Sequence, residues 1–305
     1  MLGAILGLAS ASIFSINSIL VRRGMFRASA NYFATLTVFT GPPFFLIIAV
    51  IAGALEGAGQ YAWQAILFWA ISGLIHFGLG RSWAYRSIQM VGSNRSNIVT
   101  SLNPIVTVVL AVLVLEETIS SLMVLGILFS LSGPLLIVMK EQAASGTLQG
   151  SDGSGKELER RTLYLGMMYG IGAALFWGSS AIFIKLALNN GGSPVSGTLI
   201  AYLAASLFIS PSLLREKNRK EILEADGRSL RMALLSGLAT NIAQLFKFVA
   251  LAYGSVIVVS LMARTVPLWV LLFSFLFNRE VESFSRWVIL GNLLLVSGTV
   301  LIMLC

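Results

Sequence analysis

The 305-residue chain contains one cysteine, Cys305, and one histidine, His76. A lone thiol forms no internal disulfide and no cysteine metal cluster, and a lone imidazole leaves no histidine-rich metal site. Charge is scarce as well: 11% of residues are Asp, Glu, Lys or Arg, against about a quarter in soluble domains. Acids are the rarer sign, 13 against 21 basic residues, and none falls midway along an apolar run. Glu56 lies in a connection, Glu116, Glu117 and Glu280 lie at the ends of runs, and the rest cluster in polar loops. A carboxylate inside the bilayer is the usual proton carrier and cation partner of membrane carriers, so its absence weighs against efflux of lipophilic cations. Neither H-E-x-x-H nor G-x-S-x-G occurs, so the chain is expected not to be an enzyme and no catalytic residue is assigned.

What the chain has in quantity is apolar length. Hydrophobic residues make up 56% of it and the mean hydropathy is +0.85. With about 20 residues needed to cross a bilayer, the runs give ten spans: 2–21, 31–54, 63–83, 94–115, 121–139, 163–186, 196–214, 231–252, 255–277 and 285–304. The fold class is therefore an all-α polytopic membrane protein. The first run has no basic residue before it and extends to Arg22 and Arg23, so it reads as a helix rather than a signal peptide. The long polar stretch "KEQAASGTLQGSDGSGKELERR" from Lys140 is rich in Gly and Ser and reads as a flexible connector, residues 140–162.

The two sides of that connector repeat one another. At an offset of 163, Gly3 and Gly7 fall on Gly166 and Gly170, Phe14 on Trp177, Arg22 on Lys185, Pro104 on Pro267 and Glu117 on Glu280. After a two-residue slip, Gly126 and Gly133 fall on Gly291 and Gly298, each pair 7 apart. Residues 1–139 and 163–305 are thus read as two five-helix repeats. Five is odd, so the second copy enters the membrane from the opposite side, the inverted repeat of alternating-gate transporters.

Charge tests the inversion independently. The first, third, fifth, seventh and ninth connections carry 3, 3, 4, 6 and 2 Lys or Arg, a total of 18, whereas the even-numbered ones carry Lys185 at most. The positive-inside rule then makes the odd connections cytoplasmic and places both termini outside. Spread over short loops, the net charge of +8 marks orientation and no nucleic-acid partner.

The blocks "GSNRSNIVTSLNPIVTVVLAVLVLEETIS" and "GSVIVVSLMARTVPLWVLLFSFLFNREVES", each followed by a glycine-spaced run, together with "ALFWGSSAIFIK", resemble the drug/metabolite transporter superfamily, specifically its EamA-type ten-helix members. The resemblance covers nearly the whole chain. It implies two EamA-like repeats, transport of a small metabolite and termini in the cytoplasm; on the last point the charges argue the reverse.

Three cations lie inside spans: Arg264 in "SLMARTVPLW", Lys247 near the end of the eighth span and His76 in the middle of the third. An unpaired charge at the bilayer centre costs about 2.5–3.5 kcal/mol on insertion scales, so such residues face a cavity or a partner. With no acid in any span, an anionic group on a solute fits the role. Polar residues recur at helical spacing around them: Ser96, Thr100, Asn103 and Thr107 in the fourth span, and Thr240, Asn241, Gln244 and Lys247 in the eighth. Ser260 precedes Arg264 by about one turn, and the first and sixth spans offer Ser10, Asn17, Ser179 and Ser180. Pro104 and Pro267, read as mid-helix, are expected to act as hinges. The substrate-binding set is Arg264, Lys247, His76, Asn103, Thr100, Asn241, Gln244, Ser260, Asn17 and Ser180. Plainer readings stand beside it: Ser and Thr bond back to their own helix, Lys247 snorkels to the interface, His76 is a hydrogen-bonded interior residue, and Arg264 braces backbone carbonyls. Arg81 and Arg86 are read as topology determinants.

The sequence reading is a secondary transporter, in the cell (inner) membrane, for a small polar solute. The solute is anionic or zwitterionic, such as an amino acid or an organic or phosphorylated acid, moved by alternating access. The alternative is a non-transporting scaffold or receptor on the same fold. The expected partners are the solute and the lipid bilayer, with no metal, cofactor or nucleic acid, in a monomer or homodimer.

Overall fold

The structure, a computed structural model, describes residues 1–24, 28–56, 58–100, 102–144, 153–266, 268–269, 272–273 and 286–304. Among the described residues every regular element is helical. In chain order the helices are α1 Leu2–Gly24, α2 Ala30–Phe39, α3 Gly41–Ile51, α4 Trp63–Gly73, α5 Arg81–Thr100, α6 Asn103–Leu115, α7 Ser121–Ala144, α8 Gly153–Asn189, α9 Pro194–Ile209, α10 Glu216–Leu223, α11 Gly227–Tyr253, α12 Val256–Met262 and α13 Arg286–Met303. Five helical runs are long and apolar enough to cross a membrane: Asn31–Ile51, Trp63–Ser87, Arg161–Asn189, Pro194–Leu214 and Gly227–Tyr253. Shorter apolar helices accompany them at Leu2–Asn17, Asn103–Leu115, Ser121–Gly133, Val256–Thr265 and Ile289–Ile302.

Several boundaries differ from the sequence reading, each for a local reason. The run expected as one helix from 31 to 54 breaks at Thr40, because Pro42 and Pro43 lack backbone donors and are accommodated in the first turn of α3. Pro104 likewise starts a helix: it sits in the first turn of α6 rather than midway along a span from 94 to 115. The preceding residues belong instead to α5, which continues through the expected connection at 84–93, a stretch with no proline. Pro267, its repeat mate, lies outside the described residues. The expected flexible connector is helical at both ends, since α7 reaches Ala144 and α8 begins at Gly153. Lys, Glu, Leu and Arg in "GKELERR" are good helix formers and outweigh the flanking glycines. Arg264 lies in a short 3₁₀ turn, Ala263–Thr265, which closes α12.

The burial pattern is that of a protein dissolved in lipid. Leu46, Ile47, Val50, Leu113, Leu128 and Leu207 are exposed, whereas Ser10, Thr37, His76, Arg81, Asn103, Asn241 and Gln244 are buried. Apolar side chains on the outside find no penalty in hydrocarbon, and polar groups turned inward find partners there. Aromatic stacking holds the centre: Trp69 lies on Phe248 with ring centroids 5.5 Å apart and Phe77 on Tyr202 at 4.1 Å.

Contacts of one half recur in the other at the offset of 163. A Cβ on Gly7 would stand 3.0 Å from the Met262 Cβ, and one on Gly170 would stand 3.2 Å from the Val99 Cβ. Gly3 likewise closes on Gly254, and its repeat mate Gly166 closes on Val91. These small residues let α1 approach α11 and α12, and let α8 approach α5, backbone to backbone. Between α7 and α13, which are themselves repeat mates, Gly126 meets the Gly298 carbonyl and Gly133 meets the Gly291 carbonyl. The pairing runs in opposite order along the two helices, so they cross antiparallel.

Candidate functional site

The site is a column of polar groups along one face of α11. Its centre is His76, which lies in the π-helical turn Leu74–Gly80 between α4 and α5. Such wide turns occur mostly as single interruptions of α-helices, frequently at functional sites. The Trp177 indole N–H holds the turn by donating to the His76 carbonyl at 3.1 Å.

His76 is engaged through both ring nitrogens. Ser180 Oγ, which contacts the Trp177 carbonyl at 2.8 Å, lies 2.7 Å from His76 Nδ1. His76 Nε2 lies 3.2 Å from the Gln244 side-chain nitrogen, and the imidazole tautomer decides which member of each pair donates. Gln244 Oε1 is buried with no partner among the described residues. One turn earlier a second pair recurs. Thr40 Oγ1 donates to the Thr37 carbonyl at 3.1 Å and so accepts from Asn241 Nδ2–H at 3.2 Å. Asn241 Oδ1 is also left buried and without a partner. A buried acceptor with no donor costs about 1–3 kcal/mol, and here two stand three residues apart on one helix face.

Above them stand two cations. The Arg264 Nη2 donates to Asn103 Oδ1 at 2.6 Å, and the Nε of the same guanidinium is buried without a partner. Lys247, half-buried on the next turn of α11 after Gln244, makes no hydrogen bond or ion pair with any described residue. It is near enough to Arg264 and to His76 for their charges to interact. No carboxylate among the described residues bears on His76, Lys247 or Arg264. The arrangement is a pair of like charges with unfilled hydrogen-bonding capacity, which is costly in a low dielectric and suited to an anion.

Other residues of the sequence-derived set fall elsewhere. Asn17 accepts from Ser236 Oγ at 2.6 Å and ties α1 to α11. Thr100 turns its hydroxyl back on the Ser96 carbonyl at 3.0 Å. Thr107 bridges the Asn103 and Gly178 carbonyls, and Ser10 bonds the Ala243 carbonyl. Ser179 bonds back to Leu175. Ser260 is buried one turn before Arg264, and Ser180, as described, seats His76.

Three charged residues outside the sequence-derived set make defined contacts in the structure. Arg81, read as a topology residue, is 8% exposed and turned inward. It donates to Thr37 Oγ1 at 2.8 Å and lies 5.2 Å from the centre of the Phe77 ring. Its run extends to Ser87, so Arg81 is six residues inside the span rather than at its edge. Arg86, by contrast, is exposed against Tyr169. The other two are Glu117 and Lys185, which grip the junction between α11 and α12. Glu117 accepts from Ser255 Oγ at 2.6 Å, from Val256 N–H at 2.7 Å and from Ile257 N–H at 3.1 Å. Lys185 donates to the Leu251 and Gly254 carbonyls at 3.0 and 3.1 Å. An acid thus sits on the N-terminus of α12 and a base on the C-terminus of α11, each on the favourable end of its helix dipole. Their matching to Glu280 and Arg22 at the repeat offset was the available signal.

A search of curated proteins returned no match. Solved structures do match: one crystal structure superposes with a TM-score of 0.75 over 99% of this chain and 98% of that one at 16% sequence identity, which shows a shared fold. The family model described as the EamA-like transporter family matches twice, over residues 1–139 and 164–304. A model that accounts for both halves of a chain so apolar leaves one conclusion: this is a multi-pass integral membrane protein of two EamA repeats, and it belongs to the EamA-like transporter family of drug/metabolite-type transporters.

Proposed function

We propose that the chain is a ten-span secondary carrier, built as an inverted repeat, that moves a small anionic or zwitterionic metabolite by alternating access. The observation that carries this reading is the pair Arg264 and Lys247, set within apolar helical runs with no described carboxylate acting on either. A permanent internal charge persists only where something repeatedly compensates it. The inversion is supported by the antiparallel glycine contacts of α7 and α13 and by the recurrence of α1 and α8 contacts at a fixed offset. The two ordinary hinge positions are Pro104, at the start of α6, and Pro267.

Proteoliposomes test the reading directly. Vesicles loaded with organic acids, amino acids or phosphate esters should show saturable uptake of the labelled compound, accelerated by the same anion on the opposite side. A protein that moves none of them, while it remains folded in the bilayer, is the scaffold or receptor instead. The proposed orientation has both termini outside, from the 18 basic residues in odd connections. A reporter active only in the cytoplasm, fused after Cys305, should stay silent; activity there would invert the topology and leave the fold untouched.

A further inference from the structure

We infer that α10 and the span ends beside it form a docking surface for anionic phospholipid, with Arg215, Arg219, Arg228 and Arg231 at the head-group phosphates and Leu214 and Leu223 at the edge of the acyl layer. This rests on the chain being a multi-pass membrane protein and not on what it carries.

Three contacts fix the level of α10. Asn218 Nδ2–H donates to the Ser212 carbonyl at 3.0 Å, which ties the helix to the end of the apolar run Pro194–Leu214. Glu221 Oε1 accepts from the Ser29 N–H at 3.0 Å, two residues before the run Asn31–Ile51. Asp226, just past α10, accepts from the Ser229 N–H at 3.2 Å and caps the run Gly227–Tyr253. Between these points Ile222 and Ala225 pack on the cluster of Tyr32, Phe33 and Ala233. Three apolar runs thus begin or end at the level of α10, and a helix pinned to all three lies at the membrane surface. Among the described residues, this is the one connection with an α-helix of its own.

The outward side of this surface carries two features that water leaves unmatched. Leu223 is 75% exposed, and Leu214, at the foot of the preceding run, is 87% exposed. Arg219, one turn before Leu223 on the same helix, is exposed with it. Apolar tips beside cations at the depth of the span ends are the pattern of a helix lying in the head-group layer. The second feature is where the arginines stand. Arg215 immediately precedes the first turn of α10, and Arg228 and Arg231 lie in the first two turns of α11. Those are the positive ends of the two helix dipoles, where a cation is disfavoured. All three are exposed, and a layer of phosphates in front of them offsets the dipoles and their mutual repulsion together. Acids of the same stretch are committed elsewhere: Glu216 pairs with Lys220 at 2.7 Å, and Glu221 and Asp226 hold the contacts above. The seventh connection carries 6 Lys or Arg, a density at which segments beside a span recognise anionic lipid.

Lipid binding to the purified, full-length protein tests this. Native mass spectrometry in detergent, with phosphatidylglycerol and phosphatidylcholine of the same acyl chains as probes, should show the anionic lipid bound about tenfold or more tightly. Arg215→Gln combined with Arg219→Gln should weaken phosphatidylglycerol by about twenty-five-fold, about fivefold per arginine, and leave phosphatidylcholine nearly unchanged. Inorganic phosphate should not displace the lipid. Equal affinity for the two lipids in the unaltered protein overturns the inference. A preference that survives the paired substitution overturns it too, by placing the lipid elsewhere, and displacement by phosphate overturns it in favour of a soluble anion. A second measurement needs no arginine variant. With Cys305→Ser as background, a nitroxide on Leu223→Cys in vesicles of equal parts phosphatidylglycerol and phosphatidylcholine should meet oxygen from the acyl layer more often than a neutral nickel chelate from the water. Greater exposure to the chelate puts Leu223 in water and overturns the docking of α10.

Discussion

Arg264→Gln is expected to weaken anion binding by about tenfold to hundredfold, the loss of one charge-assisted contact at about 1.5–3 kcal/mol. It should leave unfolding nearly unchanged. Glutamine reaches less far than arginine but keeps an amide donor for Asn103 Oδ1, which now takes a 2.6 Å bond from the guanidinium. Removing the charge also relieves the repulsion between Arg264 and Lys247, a term that works against folding. Arg264→Lys should fall between, because an ammonium retains the charge and loses the planar fork that meets a carboxylate or phosphate through two bonds. Calorimetric titration alongside thermal unfolding separates the effects. If glutamine binds anions as arginine does and only the unfolding temperature drops, Arg264 is a brace for Asn103 and the anionic solute loses its main support.

The largest effect on stability is expected at Glu117. Its carboxylate takes three donors at the start of α12, two of them backbone N–H groups that have no other partner in the helix. Glu117→Ala should cost about 2 kcal/mol, reduced from the upper range for charged hydrogen bonds because the residue is only half-buried. Lys185→Met should cost less, since the carbonyls it bonds can find other donors. The two act on one junction, so their combined effect should depart from the sum of the separate ones. Affinity should follow stability here, because α12 runs from Glu117's contacts directly into the turn that holds Arg264. A Glu117→Ala protein with unaltered unfolding and unaltered binding would show that α12 is positioned by its packing on α1 and α6 alone.

How far the sequence went is explained by what a one-dimensional pattern contains. The helices, the repeat and the polar face of α11 are periodicities along the chain, and they were legible. The grouping of His76, Ser180, Gln244, Lys247, Arg264 and Asn103 was legible in outline, because each is the unusual residue in its own apolar run. Which polar groups pair was not. Asn17 and Thr100 carry the same chemistry as Gln244 and Asn103, yet Asn17 bonds Ser236 and Thr100 bonds its own helix. Such choices depend on helix crossings set by glycines elsewhere in the chain, such as Gly7 against Met262 and Gly170 against Val99. Arg81 was misread for a related reason: a cation near the end of an apolar run looks interfacial until the extra π-helical residues before it rotate it inward. Pro104 was misplaced because proline at a helix start and proline inside a helix differ only in the backbone that precedes it.

The glycine seam between α7 and α13 carries a geometric consequence of its own. Exchanging the two halves maps Gly126 onto Gly291 and Gly133 onto Gly298, and so carries the contact of Gly126 with Gly298 onto that of Gly291 with Gly133. The seam is its own image. In a carrier whose halves trade shapes to open first one way and then the other, every interface that lacks this property must be remade at each cycle. One that possesses it stays intact through both forms. In a carrier of that kind this backbone-to-backbone seam would be an axle about which asymmetry can alternate, a contact that transport need never undo.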